Sequence, residues 1–564
     1  MREKLKLVLF MCVVVVLLAG SSVFGTPSLL KSTWGVISSR SVLAGSSSLR
    51  LAPENTSSAL IRISRGIHPF WLGSNCSVYV APNGIGNDAN TGKSATSPIT
   101  LTGADGSNLP PGSVVCLLGG RYEFTDTWTV RSTGTSSSYV TFQAYGDGPV
   151  NIVWTNTTLN QAMIYIHGTY NGVIFTGPQY LEFQGLNLDG GIGNAAAGSG
   201  GVPTGGAASG FQCLQSVGVI FAGNTVVNTG GAGISAVNCD YVISDHNLVY
   251  HNGYSHGAAG YGPTSAITYN QIPWADTYSG IHNIISNNIV AGEVDQSTAH
   301  TDGNGIILDL PYGANTNTPP ALILNNVVYG NGADCIETFG NSTTSQYQTN
   351  VWVVNNTCYA NNLDQSGRGA ITAQVTSNSF FVNNIVFLLS SGGVPVNGTN
   401  AFDQQPNSTT DTNVSYYNNL YFGTSSCCHQ FSASSSWNNG ISGDPGFVLP
   451  PYFYPSVASP YDSQYKNVRP PLPGRPNSRS TSMCSTTQSI LWIPTCDIDS
   501  GFWLTSSSSP AYNKSIDPTT LTTDPNIQAS LRAVVYSDIN GNPRPNPPQT
   551  CTSSCWDLGA IQHF

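Results

Sequence analysis

The stretch ILNNVVYGNG (323–332) returns in modified form along the middle of the chain and decides its fold. Related phrases are FAGNTVV (221–227), ISDHNLVY (243–250), IISNNIVAG (284–292), VVNNTCYANN (353–362), FVNNIVFLL (381–389) and VSYYNNLYF (414–422). Each joins two short apolar runs through Asn or Asn-Asn, and the second Asn position falls at 224, 247, 288, 326, 356, 384 and 419. The spacings range from 23 residues (224 to 247) to 41 residues (247 to 288), which indicates a repeat array.

Physical chemistry explains the phrase as one coil of a stacked array. A parallel strand that is buried on its inner side favours Val, Ile and Leu. A corner between two strands favours Asn, which tolerates left-handed backbone angles, and stacked Asn side chains can hydrogen-bond along a column. A propeller would need antiparallel hairpins, and the Leu-x-x-Leu-x-Leu signature of leucine-rich repeats is absent. We therefore predict an all-β fold, a single-stranded right-handed parallel β-helix with long loops on one side.

Composition shifts divide the chain around this array. Gly and Ser clusters at 189–210 and 255–266 predict long loops, and a Pro-rich stretch at 449–476 leaves the repeats. The predicted divisions are a signal peptide (1–25), an N-terminal extension (26–75), the β-helix (76–448) and a Pro/Ser-rich segment with a C-terminal closing region packed on the helix (449–564).

The first residues predict export. Arg2, Lys4 and Lys6 precede an apolar run at 7–20 and small residues up to Gly25, a secretory signal pattern. Nine Asn-x-Ser/Thr sequons, Asn156 and Asn355 among them, fit an extracellular or cell-surface glycoprotein without a membrane span in its mature form.

The charge composition argues against a nucleic-acid partner and is compatible with an acidic medium. Only 9% of residues are charged and the net charge is −10, which argues against a nucleic-acid partner because phosphates require basic patches. A chain with few ionised groups loses little when carboxylates protonate, so an acidic medium is our hypothesis. The oligomeric state does not follow from the sequence.

Cysteine usage predicts disulfide bonds. Of 13 cysteines, Cys12 lies in the signal segment, and the even remainder suits an exported protein. The candidate local pairs are Cys213 with Cys239, Cys335 with Cys358, and Cys551 with Cys555. No set of cysteines has zinc-ligand spacing with matching histidines.

Both ends of the array resemble a known family. VYVAPNGIGNDANTG (78–92) and PPGSVVCLLGGRYEF (110–124) resemble the first coils of pectate-lyase-like β-helix proteins. GDPGFV (443–448), SDINGNPRP (537–545) and WDLGAIQ (556–562) resemble their closing segment. The resemblance implies this fold over most of residues 76–562. It does not select a reaction, because the superfamily contains lyases, hydrolases, epimerases and non-enzymatic surface proteins.

Charged residues are concentrated in two neighbouring phrases, AHTDGNGIILD (299–309) and NGADCIETF (331–339). If Ile306 stacks on Ile336, then Asn304 stacks near Asp334 and Ile307 stacks on Glu337. Strand alternation would place Asp309 and Glu337 on the outer face. Such a cluster is costly unless a cation, a shared proton or a substrate compensates it. Asp309 taken alone is interpreted as a corner residue that bonds local backbone.

These phrases resemble the Asn-Thr-Asp-Gly and Gly-Asp-Asp-Cys coils of polygalacturonases. The resemblance implies that Asp302 and Asp334 act as general acid and as base, assisted by Glu337 or Asp309. The chain departs from that family at Ala333 and at Arg368, where an Asp and the His of a Gly-His-Gly are expected.

A lyase interpretation uses the same face with Ca²⁺, which prefers oxygen ligands. The resemblance to calcium-dependent lyases implies Asp302, Asp309 and Asp334 as metal ligands. Arg368 would be the base or substrate clamp, because no lysine lies between Lys93 and Lys466.

The sequence therefore predicts a secreted protein that cleaves a polysaccharide, either a hydrolase or a lyase. The candidate catalytic residues are Asp302, Asp334, Glu337, Arg368 and His300. The candidate substrate-binding residues are Asn304, Trp274, Tyr278 and Tyr312, whose aromatic rings suit stacking on sugars. His246, His251 and His256 are interpreted as surface residues. The alternative function is a non-catalytic adhesive β-helix that binds glycan or Ca²⁺.

Overall fold

We analysed a computed structural model of the chain. It describes residues 75–156, 161–191, 206–253, 265–293, 302–313, 316–362, 369–388, 390–391, 394–395, 400–405, 411–424, 427–429, 431–447, 502, 504, 507–544 and 556–562. The predicted signal peptide and residues 26–74 of the predicted extension lie outside these ranges, as does the whole Pro-rich stretch at 449–476. No helix within the described ranges combines the length and the apolarity that crossing a membrane requires.

Three long parallel sheets form the body of the protein, and the chain visits them in the order A, B, C before it returns to A. Sheet A contains the strands Val78–Val80, Val114–Leu117, Val140–Ala144, Leu181–Gln184, Val217–Ala222, Asp240–Asp245, Asn283–Ser286, Ala321–Leu324, Val351–Val354, Phe380–Val382, Ser415–Tyr417 and Ser436–Asn438. Sheet B contains Gly120–Phe124, Val150–Trp154, Leu186–Asp189, Thr225–Val227, Leu248–Tyr250, Ile289–Ala291, Val327–Tyr329, Thr357–Tyr359, Ile385–Phe387, Leu420–Phe422 and Ile441–Ser442.

Sheet C contains Asp309 and Glu337 of the two acidic phrases. Its strands are Trp128–Thr129, Ala162–His167, Ser209–Leu214, Ile234–Val237, Ile267–Ile272, Ile306–Pro311, Ile336–Phe339, Gly369–Gln374, Asn400–Gln405 and Cys428–His429. Short strand pairs join Gln348–Thr349 to Thr376–Ser377, Thr169–Tyr170 to Phe175–Thr176, and Ser390–Ser391 to Val394–Pro395. The described helices are Leu101–Asp105, the 3₁₀ turn Pro518–Thr520 and Pro525–Val534. Successive strands in register, each one coil further along the chain, make this a right-handed parallel β-helix, as predicted.

Inward-facing apolar side chains fill the interior of the coils. On sheet C, Ile267, Ile306, Ile336 and Ile371 stack in register and are fully buried. Each buried isoleucine contributes roughly 1.5–3 kcal/mol relative to an exposed one. Each strand also covers the hydrogen-bonding edge of its neighbour, so the array is stabilised by stacking.

The predicted Asn column lies at the turn from sheet A to sheet B. Asn326 shows the pattern: its Oδ1 accepts from the backbone N–H of Asn288 at 2.9 Å and from Asn288 Nδ2 at 3.0 Å. Its own Nδ2 donates to Asn356 Oδ1 at 2.9 Å and to the carbonyl of Ile285. The same bonds connect Asn224, Asn247, Asn288, Asn326, Asn356, Asn384 and Asn419.

The two residues at the Asn-Asn position of each phrase have different roles in the turn. The first adopts the left-handed conformation, with φ of 55° at Asn287, 54° at Asn325 and 55° at Asn355, whereas the second forms the buried column. His246 occupies the first position in its coil with φ of 52°. It bonds to Asp245 Oδ2 and to the carbonyl of Ile539, so its role is structural.

Among the described residues, three disulfide bonds connect neighbouring coils and a fourth joins two adjacent residues. Cys213–Cys239 and Cys335–Cys358 are present as predicted. The structure adds Cys76–Cys116 and the adjacent pair Cys427–Cys428. The predicted pair Cys551–Cys555 lies outside the described residues.

The C-terminal segment packs on the outside of sheets A and B. Apolar residues of the helix Pro525–Val534, including Leu531, contact outward side chains of sheet A such as Trp352. Arg544 is 2% exposed and donates to Asn325 Oδ1 at 3.2 Å and to the carbonyl of Gly559 at 2.8 Å. This segment leaves sheet C uncovered by any of its described contacts.

Candidate active site

The register of sheet C brings the two acidic phrases together. Ile306 pairs with Ile336 and Ile307 pairs with Glu337, as the sequence predicted. Glu337 therefore lies on the outer face, one strand away from the strand that carries Asp309.

Asn304 organises the start of both strands. Its Oδ1 accepts the backbone N–H of Asp334 at 2.9 Å, and its Nδ2 donates to Glu337 Oε2 at 3.0 Å. Asn304, Asp334 and Glu337 are all buried, with exposures of 2%, 2% and 8%. Asn304 thus fixes the orientation of the Glu337 carboxylate. This positioning role differs from the substrate contact that the sequence predicted for Asn304.

Asp309 occupies the middle of a strand and not a corner, so the corner interpretation was wrong. It is half-buried, and its Oδ2 accepts from Asn270 Nδ2 at 2.7 Å. Burial is the main cause that raises the pKa of Asp309 to about 8, and the charges of Asp302 and Glu337 contribute to this increase. The carboxyl groups of Asp302, Asp309 and Glu337 therefore interact with one another, and we call this set of three residues the acidic face.

Sequence reasoning missed the continuation of this face. Glu337 pairs with Thr372, and Thr372 pairs with Asp403. Burial also raises the pKa of the nearby Asp411 to about 7, and Asp403 contributes to the increase although a bond from the backbone N–H of Thr376 opposes it. The regular register of strands 369–374 and 400–405 could have revealed Asp403, but neither segment contains an Asn-Asn phrase.

Two predicted catalytic residues, His300 and Arg368, lie outside the described residues, as do Asp295, Asp364 and His256. The assignment of Asp302, Asp309 and Asp334 as Ca²⁺ ligands stays a prediction. Among the described residues no cluster of three or more His, Cys, Asp or Glu could hold a metal ion. Asp309 Oδ2 accepts a hydrogen bond from Asn270, so this oxygen already has a partner within the protein.

The predicted aromatic residues lie where strands of sheet C lead back to sheet A. Trp274 is 38% exposed, and its Nε1 donates to the carbonyl of Asn317 at 2.9 Å. Tyr312 follows the strand of Asp309 and contacts Tyr170 edge to face, with ring centroids 5.3 Å apart. Tyr278 packs on His282 at 6.0 Å and is half-buried. Trp274 has the most open ring of the three predicted residues.

Beneath these aromatic residues lies a polar network that sequence reasoning also missed. His282 is fully buried; its Nδ1 lies 2.8 Å from Asp240 Oδ2 and its Nε2 lies 2.8 Å from the carbonyl of Tyr278. Burial lowers the pKa of His282, but Asp240, the Tyr278 carbonyl and Asp276 outweigh burial, so that the net shift is upward. Both nitrogens are bonded, so His282 holds the turn and is not a free base.

Comparisons with known proteins concern the architecture. No family model and no curated protein matches the chain. Similar solved structures include pectate lyase Pel9A, which is 15% identical, with 86% of this chain and 96% of that chain covered and a TM-score of 0.46. They also include endo-xylogalacturonan hydrolase from Aspergillus tubingensis (12% identity, 64% and 92% covered, TM-score 0.40). An alginate lyase from Paenibacillus sp. is 15% identical, with 60% and 96% covered and a TM-score of 0.35.

Identities and TM-scores this low do not identify a reaction. The fold is assigned from the register of the three sheets, from the Asn column and from the first and last coils. The chain is a right-handed parallel β-helix protein.

Proposed function

We propose that this protein is a secreted enzyme that hydrolyses a polysaccharide on the acidic face of sheet C. The observation that carries the proposal is that Asp309 lies on the same outer face as Glu337 and has a pKa that burial first, and the neighbouring Asp302 and Glu337 second, raise to about 8. Hydrolysis of a glycosidic bond requires this combination of an acid and a carboxylate.

Asp309 is the proton donor in this proposal. Its Oδ2 accepts from Asn270, which leaves Oδ1 to carry the proton for the leaving oxygen of the sugar. A pKa of about 8 means that Asp309 is protonated at neutral and acidic pH. This assignment differs from the resemblance to polygalacturonases, which implied that Asp302 or Asp334 donates.

Glu337 is the partner carboxylate, and Asn304 fixes its orientation. Glu337 pairs with Ile307, two residues before Asp309, so the Cα atoms of Glu337 and Asp309 are about 8 Å apart for ordinary strand spacing and rise. Because both side chains point outward from the same sheet, we expect the carboxyl groups of Glu337 and Asp309 to be separated by a similar distance. That spacing leaves room for a water molecule, so we propose that the enzyme inverts the anomeric configuration.

A polysaccharide panel tests the proposal. Reducing ends and the absorbance of unsaturated products are measured with and without a chelator, and the anomer released first is identified by NMR. We expect new reducing ends without unsaturated products, and activity that survives the chelator. Unsaturated products that require Ca²⁺ would instead support the lyase interpretation, and binding without any product would support the adhesive alternative.

Variants assign the roles. Asp309→Asn and Glu337→Gln should each lower kcat by at least about 10²-fold, the usual contribution of general acid or base catalysis. Glu123→Gln is the matched control, because Glu123 is an exposed carboxylate on sheet B that pairs with Arg121. Wild-type activity in either of the first two variants would refute the assignment.

A further inference from the structure

The outer face of sheet C contains two rows of side chains that differ in exposure. Glu337 pairs with Thr372, which pairs with Asp403, and all three are at most 8% exposed. The second row lies two residues further along each strand, contains Asp309, and is half-buried or exposed on six successive strands. We call this second row the open row, and its members in register are His167, Leu214, Val237, Asn270, Asp309 and Phe339. A long ligand can therefore reach Asp309 along this row.

Asp309 does not lie in the middle of the open row. Four members lie on one side of it, and the last of them, His167, is exposed. On the other side Phe339 pairs with Gln374, which is only 8% exposed. Neighbouring strands are about 4.8 Å apart, so the row extends about 19 Å from Asp309 to His167 and about 5 Å to Phe339. We call these two parts the long arm and the short arm.

Aromatic residues stand beside the long arm. Tyr170 follows the first strand of the open row, and Tyr312 follows the strand of Asp309. Their rings contact edge to face with centroids 5.3 Å apart, so the two connections meet across the strands that separate them. The Tyr170 hydroxyl also lies 3.5 Å from the carbonyl of Trp274, whose ring is exposed. These three aromatic residues give the long arm a wall.

The side chains of the open row suit the rings of sugars. Leu214, Val237 and Phe339 are half-buried apolar groups, and apolar groups in a groove are typical of a ligand site. They can contact the C–H groups on the face of a sugar ring while its hydroxyls remain in water. At the far end His167 stacks on Tyr165 with ring centroids 5.0 Å apart, which makes an aromatic platform. A sugar residue of an extended glycan is about as long as one strand spacing, so each strand can hold about one sugar.

We propose that the open row binds about six sugars of a glycan, with about four on the long arm, one at Asp309 and one on the short arm. The inference rests on the proposed function and adds binding sites that are distant from the cleaved bond. Most of the binding energy then comes from one side of Asp309. An oligosaccharide is therefore cut near one end and releases a product of about one or two sugars.

Oligosaccharides of defined length test the inference with the full-length protein. Chains of three to eight sugars are prepared by partial hydrolysis of any polysaccharide that the panel shows to be cleaved, and they are labelled at the reducing end. We expect kcat/KM to increase with each added sugar up to about six and then to level off, because each occupied position adds binding energy. We expect the hexamer to give a short product of about one or two sugars. A plateau at three sugars, or cleavage of the hexamer at its centre, would overturn the inference and leave the proposed function standing.

Variants in the two arms should differ in their dependence on chain length. His167→Ala removes the platform at the end of the long arm and should lower kcat/KM about twofold to tenfold for the hexamer, with no change for the trimer. Phe339→Ala should lower kcat/KM for both lengths by the same factor. Ile85→Ala is the control, because Ile85 is an exposed apolar residue outside sheet C, and it should change neither value. Equal losses for trimer and hexamer in His167→Ala would contradict a distant binding site.

A panel without cleavage would contradict the proposed function, and binding would then test the inference by itself. Affinity electrophoresis in gels that contain each polysaccharide compares wild type with the double variant His167→Ala/Leu214→Ala. We expect at least one polysaccharide to retard wild type and to retard the double variant less. Equal retardation of the two proteins, or no retardation by any polysaccharide, would overturn the inference.

Discussion

Glu293→Gln should make the protein more stable at neutral and alkaline pH. Glu293 is fully buried at the end of sheet B, in a second side-chain column that also contains Asn252 and Asn331. Its Oε1 and Oε2 accept from Asn252 Nδ2 at 3.2 Å and from the Asn252 backbone N–H at 3.1 Å. No ion pair compensates it within the described structure. An amide of the same shape fits a column whose other members are largely amides.

The magnitude follows from proton linkage. Burial raises the pKa of Glu293 from 4.5 to about 8, although the two bonds from Asn252 oppose the increase. A carboxyl whose pKa is raised by folding stabilises the fold fully below its unfolded pKa, and that stabilisation is lost as the pH rises to the folded value. Each pH unit between these values is worth about 1.4 kcal/mol, so wild-type protein loses roughly 3 kcal/mol by pH 7. Glutamine does not titrate and avoids this loss.

Denaturant unfolding followed by tryptophan fluorescence at pH 4.5, 6 and 8 measures the effect. The difference in unfolding free energy between Glu293→Gln and wild type should increase with pH by roughly 3–5 kcal/mol. Glu123→Gln removes an exposed carboxylate and should give a flat difference. Parallel pH profiles for Glu293→Gln and wild type would refute the reasoning, as would a variant that is less stable at pH 8.

Three further predictions concern the acid, the Asn column and the closing segment. The proposed hydrolytic activity should fall as pH rises through about 8, where Asp309 loses its proton, and Asp309→Asn should abolish that limb of the kcat profile. Asn326→Leu should lower the unfolding free energy by roughly 3–5 kcal/mol, because it orphans buried groups of Asn288 and Asn356; a loss below about 1 kcal/mol would contradict the structural role of the column. Arg544→Ala should expose the C-terminal segment to proteolysis, since three carbonyls and Asn325 lose their donor; unchanged protease resistance would contradict this role.

Most of the fold could be predicted from the repeated phrase. The Asn of each phrase marked a turn whose hydrogen bonds depend on neighbouring coils, so seven copies located seven coils. The sequence could not show which Asn of each phrase adopts the left-handed conformation and which forms the buried column, because either Asn can adopt φ near 55°. The disulfide Cys427–Cys428 was missed because adjacent cysteines do not join two coils.

The candidate site could be predicted only where a strand register could be guessed. Ile306 and Ile336 were recognisable partners, and their pairing placed Asp309 and Glu337 on one face. The orientation of Glu337 depends on a single bond from Asn304, and sequence spacing contains no information about it. The protonation of Asp309 depends on burial and on two other carboxyls, which also required coordinates.

Buried carboxyls connect the stability of this protein with its proposed catalysis. Burial raises the pKa of Glu293 and Asp309 to about 8 and that of Asp411 to about 7, and none of the three has a cationic partner within the described structure. All three are therefore protonated in acid, where the fold gains stability and Asp309 can donate its proton. The raised pKa values of these buried carboxyls and the proposed proton donation by Asp309 thus both favour an acidic medium.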